Sequence, residues 1–177
     1  MTVPPTVRYL LVRSLLLAFV LLTTATTTAN AFARDPVPSV PSPAVQKGGA
    51  QRSPAADDAA QVVNAFIAAL VGGRIEAARQ LMSPEATVVA NGNVLGDRDG
   101  YINGAAKADA AALATVEREL LRRDVKAGAN FGWVVSETSL RQPGAAQAEV
   151  VTETMLLART ADGWKITHIH WSGRHAG

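Results

Sequence analysis

The chain contains no cysteine. That absence excludes disulfides, thiolate metal sites, covalent haem attachment, a lipid-modified N-terminal cysteine and a thiol nucleophile. Any domain built from this sequence is held by its core alone. Aromatic residues are scarce, at 5%. None interleaves with the one local basic run, Arg118, Arg122, Arg123 and Lys126. Such a run reads as a solvated face, and no nucleic-acid partner is expected. The formal charge of +2 does not change this, because its basic excess lies near the N-terminus. Of 17 Lys/Arg, five (Arg8, Arg13, Arg34, Lys47, Arg52) precede Asp57, but of 15 Asp/Glu only Asp35 does. From Asp57 onward the chain is slightly acidic. Phosphate-binding loops and dinucleotide fingerprints are missing, and no organic cofactor is expected.

A further absence concerns membranes. The uninterrupted apolar run Leu15 to Leu22 is well short of the roughly 20 residues a span requires. Extending it back to Tyr9 would bury Arg13, which is costly. Arg8 and Arg13 before the run, and Ala31-Phe32-Ala33 after a Thr-rich stretch, are the parts of a secretory signal peptide. Residues 1–33 are therefore read as a signal peptide, cut after Ala33 or alternatively after Ala31. Residues 34–56 carry Pro36, Pro38, Pro41, Pro43 and Pro54 with few large apolar residues, and read as a disordered tether. A periplasmic or secreted protein follows, with no stable membrane anchor after cleavage.

What is present is one domain over residues 57–177. Asp57 or Asp58 can cap a helix whose apolar residues recur at Val62, Val63, Phe66, Ile67, Ala69 and Leu70, and Gly72-Gly73 end it. A short helix from Arg74 to Met82 should stop at Ser83-Pro84. Ala86 to Ala90 reads as a strand, with a hairpin at Asn91-Gly92-Asn93. Asp97 can cap a third helix, Arg98 to Ala106. Between Ala105 and Arg123 two patterns compete. Composition favours one long helix, whereas the alternation of Val116, Arg118, Leu120 and Arg122 with Glu117, Glu119 and Leu121 suits an exposed strand. Phe131 to Leu140, Gln147 to Arg159 and Trp164 to Trp171 read as strands, the last two joined through Asp162-Gly163.

This order resembles the nuclear-transport-factor-2-like (SnoaL-like) superfamily. The residues that carry the resemblance are Thr152-Glu153-Thr154-Met155-Leu156-Leu157, Ala161-Asp162-Gly163-Trp164-Lys165-Ile166 and His168-Ile169-His170-Trp171-Ser172. It covers roughly residues 57 to 175. It implies an α+β cone, in which a curved antiparallel sheet wraps the N-terminal helices around a pocket, and it implies dimers through the outer sheet face. Members include isomerases, cyclases, dehydratases, epoxide hydrolases, non-catalytic binders and oligomerisation modules. The resemblance also implies a strand over Thr115 to Lys126, with the preceding helix broken near Ala108 to Ala112. Tyr101 and Asp109 match the family's third-helix pattern. Its histidine positions are held here by Gly104 and Ala105.

Strand alternation places Trp164, Ile166, His168 and His170 on one face, and Lys165, Thr167, Ile169 and Trp171 on the other. With Thr160 opposite Gly163, the same register sets Leu157 against Ile166, Met155 against His168 and Glu153 against His170. A Glu153–His170 pair would fix the imidazole tautomer and leave its other nitrogen as a general acid or base. Tyr101 and Asp109 could reach the same mouth, the tyrosine donating toward a developing oxyanion. A second reading makes His168 and His170, with Glu153 or Asp109, ligands of a divalent metal. A third makes both histidines hydrogen-bonded core or pocket residues. Trp133 and Trp164 are placed inward and Trp171 outward. Asp97-Arg98-Asp99 reads as a helix N-terminus, Ser172 lacks a nucleophile elbow, and Arg174 reads as a solvated tail residue that could hold an anion at the rim.

The expected function is binding, and possible cofactor-independent transformation, of a small organic ligand by a homodimeric exported protein. The alternative is a non-catalytic or divalent-metal-binding accessory or oligomerisation domain.

Overall fold

The computed structural model describes residues 53–175, so the expected signal peptide and nearly all of the tether lie outside the described residues. Helix α1 (Pro54–Val71) begins three residues before the expected domain boundary. Its cap is Ser53, not Asp57 or Asp58. The Ser53 hydroxyl accepts from the Ala56 N–H at 3.3 Å, and Pro54 takes the first helical position, where no donor is needed. Val63, Phe66 and Leu70 form its fully buried stripe. Gly72 ends the helix and Gly73, at φ 66°, turns the chain. Among the described residues no helix is long and apolar enough to cross a membrane.

Helix α2 (Ile75–Gln80) is shorter than expected, because Met82 already belongs to strand β1 (Met82–Ala90). Ser83-Pro84 does not stop a helix; it sits inside the strand. Proline is tolerated there because pairing lapses between Met82 and Thr87, so its missing N–H deprives no partner. Asn91 and Gly92, at φ 47° and 79°, make the tight turn into β2 (Asn93–Gly96). Asp97 caps α3 (Arg98–Asn103), its side chain accepting from the Gly100 N–H at 2.7 Å. Gly104 ends α3, since a Cβ there would fall 2.7 Å from the Gly100 carbonyl oxygen. Helix α4 (Ala106–Leu113) follows, so the third helix of the sequence reading is two.

The helix-versus-strand ambiguity divides later than expected. α4 runs through the expected break at 108–112, and β3 (Glu117–Ala127) begins beyond it. β3 pairs with β4 (Phe131–Arg141) along its length, from Glu117↔Arg141 to Ala127↔Gly132. That pairing overrides the local helix propensity. β5 (Glu149–Thr160) and β6 (Gly163–His175) complete a six-stranded sheet in the order β2-β1-β6-β5-β4-β3. Neighbours are antiparallel except β1 and β6, which are parallel. The curved, unclosed sheet and the helices share one core, built on Phe66, Leu70, Val88, Met155, Leu157, Ile166 and Ile169.

One irregularity decides what faces that core. Near the turn, β5 and β6 keep the expected register, Thr160↔Gly163 and Leu157↔Ile166. The next pair is Leu156↔His168, so Thr167 is an extra residue, a β-bulge. Its hydroxyl donates to the Leu156 carbonyl at 3.2 Å. Beyond the bulge the pairs are Met155↔Ile169, Thr154↔His170 and Glu153↔Trp171. The expected pairs Met155–His168 and Glu153–His170 do not form. Trp164, Ile166, Ile169 and Trp171 are buried, while His168 is half-buried and His170 exposed. Trp171 therefore faces the core, not the outside. Trp133 also departs from expectation. Gly132, Val134, Ser136 and Thr138 are the buried residues of β4, and half-buried Trp133 points the other way, with Lys126 Nζ 5.7 Å from its ring.

Candidate functional site

The inward side chains of helices and sheet leave one mostly apolar cavity. Ile67 and Leu70 of α1, Leu113 of α4, Leu140 of β4, Val151 of β5 and Trp171 of β6 give its apolar wall. Tyr101, Asp109, Arg118, Thr138 and Glu153 are its polar members. The space open to the centres of water-sized spheres is about 40 Å³. At roughly 10–15 Å³ per water, that holds about three.

Three ionisable side chains are buried there. Tyr101 is 0% exposed, and Asp109 and Glu153 are each 5% exposed. The break at Gly104 joins two short helices, Tyr101 on α3 and Asp109 in the first turn of α4. The Tyr101 hydroxyl donates to Asp109 Oδ2 at 3.1 Å. Across the cavity, Trp171 Nε1 donates to Glu153 Oε2 at 2.9 Å. The Trp171 and Tyr101 rings are 5.8 Å apart between centroids. Glu153 Oε1 is buried and has no hydrogen-bond partner among the described residues.

Burial shifts all three. It pushes Asp109 up to about 6, with the Tyr101 hydrogen bond pulling the other way. It raises Glu153, partly offset by the Trp171 hydrogen bond and by the charges of Arg118 and Arg123. It raises Tyr101 well above its ordinary value, reinforced by Asp109 and Glu153, so the phenol keeps its proton. Arg118 is exposed in total yet contributes to the cavity wall, as a residue on a rim does. Desolvation lowers its pKa, against the attraction of Glu153. The set combines a carboxylate oxygen free to accept a proton with a phenol and a second carboxyl able to donate hydrogen bonds.

Of the residues nominated from sequence, the structure brings Tyr101, Asp109 and Glu153 together. It does not bring His168 and His170 to them. The two imidazoles lie on the outer sheet face, 6.4 Å apart between ring centroids. Among the described residues no group of three or more His, Asp or Glu side chains is placed to hold a metal ion. Asp97 caps α3 as expected, and Asp99 binds Arg98 Nε at 2.8 Å and Arg79 Nε at 3.0 Å, which hold its carboxyl down at about 2. Neither aspartate reaches the cavity wall. Ser172 and Arg174 are exposed and also off it.

Sequence reasoning missed Trp171 and Arg118. Nothing in one sequence marks a bulge at Thr167, and without it Trp171 falls on the wrong face. Arg118 alternates with Glu117 and Glu119, and only the pairing of β3 says which set turns inward.

A family model described as a SnoaL-like domain matches residues 59–174. Among solved structures, a candidate ketosteroid isomerase from Shewanella frigidimarina is 28% identical, covering 65% of this chain and 94% of its own, at TM-score 0.61. A candidate dehydratase of the NTF2-like family from Streptomyces avermitilis is 20% identical, covering 68% and 96%, at TM-score 0.54. An NTF2-like protein of unknown function from Pseudomonas putida is 14% identical, covering 67% and 85%, at TM-score 0.57. The last two likenesses concern the fold alone. No curated protein gives a significant match.

Proposed function

The chain belongs to the SnoaL-like domain family, and on that premise we propose that its cone binds a small organic molecule and moves a proton on it without an organic cofactor. The observation that carries this reading is the buried trio. Tyr101, Asp109 and Glu153 line one apolar cavity, and Glu153 keeps a buried oxygen without a partner among the described residues. A native protein leaves such an oxygen unpaired at a cost, which a reacting proton would offset.

The chemistry that fits is proton abstraction next to a carbonyl. Glu153, raised by burial, is a stronger base than an exposed carboxylate. It takes the proton from carbon and returns it to another carbon of the conjugated system, so the enzyme ends as it began. The negative charge that develops on the carbonyl oxygen meets the Tyr101 hydroxyl. A protonated Asp109 donates to the Tyr101 oxygen and frees the phenolic hydrogen for that oxygen. The name of the relative from S. frigidimarina supports the same class of reaction. His168 and His170 have no part in it.

The test is conversion of a small β,γ-unsaturated cyclic ketone to its conjugated isomer, followed by absorbance, with carbon-bound deuterium exchange followed by NMR. Glu153→Gln is expected to lower any rate by about 10²–10⁴-fold. Wild-type exchange no faster than that of the variant across a series of neutral and carboxylate-bearing ketones sinks the proton-transfer reading.

A second reading, a non-catalytic binding or accessory domain, is favoured by the small size of the cavity. A metal-binding version draws no support from the outward His168 and His170. Export is part of the proposal and rests on residues 1–33 alone. N-terminal sequencing of protein recovered from outside the cytoplasm tests it, with Arg34 or Phe32 as the expected first residue. A homodimer through the outer sheet face, where Trp133 and Leu156 are only half-buried, is tested by sedimentation.

A further inference from the structure

Among the described residues, Arg118 is the only cation of the cavity wall. It lies on β3, the edge strand of the sheet, opposite Leu140. The other arginines of that strand have partners. Arg122 binds Asp124 at 2.6 Å, and Arg123 donates to Ser136 Oγ at 2.9 Å and to Asn64 Oδ1. Arg118 forms no hydrogen bond or ion pair among the described residues. Its flanking Glu117 and Glu119 are exposed and alternate to the opposite face of the strand. Glu153 attracts it only from a distance, across the cavity.

An arginine at the lip of an apolar cavity, without a partner, presents a planar fork of donors. That fork matches a carboxylate in two parallel hydrogen bonds. Inside the lip, Leu113, Leu140 and Val151 offer apolar contact. We propose that the ligand is a small organic acid whose apolar body enters the cavity and whose carboxylate sits on Arg118 at the rim. This rests on ligand binding in the cavity, and it names the substrate class for the proton transfer assigned to Glu153. The carboxylate anchors one end, so the carbon next to a carbonyl lies deeper, toward Glu153 and Tyr101. Neutral ketones of the same shape lack the anchor.

The experiment uses the full chain and matched pairs of probes: benzoate against benzamide, and phenylacetate against phenylacetamide. Binding is read by calorimetry, and its location by the indole N–H resonance of Trp171, which reports on the cavity through its bond to Glu153. Each acid is expected to bind at least about tenfold more tightly than its amide and to shift the Trp171 resonance. Arg118→Gln should erase that preference, and Arg118→Lys should keep part of it. Equal affinity for acid and amide overturns the inference. So does unchanged acid binding in Arg118→Gln, an unmoved Trp171 signal, or failure of both acids to bind at millimolar concentration. Glu153→Gln separates this from the catalytic proposal. It should abolish proton transfer while leaving acid binding intact or stronger, because one negative charge has gone from the cavity.

Discussion

Trp171 and Glu153 stand directly opposite each other on β6 and β5, and the indole N–H donates to Glu153 Oε2 at 2.9 Å. The contact exists because Thr167 takes an extra place in β6 and turns every later residue over. The same shift gives the buried carboxylate a neutral donor in place of an imidazole. Glu153 is thus a base held by a hydrogen bond that does not itself titrate.

Replacing that donor has a defined effect. In Trp171→Phe, Glu153 loses a hydrogen bond that lowers its pKa, so the carboxyl should move further up. At neutral pH the folded state should lose about 1–3 kcal/mol. The loss should shrink as pH falls and Glu153 takes a proton. Urea unfolding at several pH values measures both. An unchanged midpoint at neutral pH would mean the bond contributes nothing.

Asp109 makes stability depend on pH in a predictable sense. Its folded pKa, about 6, lies above the ordinary 3.8. Between those values the folded state binds a proton that the unfolded chain has released. Stability is therefore fully present below about 4 and is lost as pH rises through about 6, by up to about 3 kcal/mol. Glu153 acts in the same direction. Asp109→Asn should flatten most of this slope, as thermal melts from pH 4 to 8 will read.

Any turnover should carry the same signature. The proposed mechanism needs Glu153 ionised and Asp109 protonated. The rate should then fall as pH rises through about 6 and Asp109 loses its proton. Asp109→Asn should remove the alkaline limb, because an amide still donates. Tyr101→Phe should cost about 10²–10³-fold at every pH, as loss of an oxyanion donor does.

His168→Gln and His170→Gln should leave ligand binding and turnover within about twofold and stability within about 0.5 kcal/mol, since both residues are outward. A tenfold loss of turnover in either variant would contradict their placement outside the site.

The fold was legible where its signals are local. The Asn91-Gly92 turn, the Asp97 cap, the Gly72-Gly73 stop and the Asp162-Gly163 connection each follow from what one or two residues can do. Tyr101, Asp109 and Glu153 were legible through the resemblance and through strand parity counted along β5. The rest was set by distant partners. Whether residues 114–127 pair with β4 or coil as a helix depends on residues 131–141. Whether Pro84 ends a helix or sits in a strand depends on where β6 lapses. The faces of His168, His170 and Trp171 depend on one unpaired residue, and nothing around Thr167 announces it. Trp133 and Arg118 were hidden in the same way, because alternation gives two faces without saying which is inside.

The Thr167 bulge also sets a rule for comparing relatives. Identity in the stretch from His168 to Ser172 says nothing about which side of the sheet those residues occupy unless the pairing back to Gly163, bulge included, is the same. A chain with the same spacing but no bulge would point the same two histidines into the cone and push the tryptophan out, whereas one shorter by the bulged residue would keep the faces seen here. Two proteins could share every letter of that ending and keep different chemistry in the pocket, separated by a change of phase and not of residue.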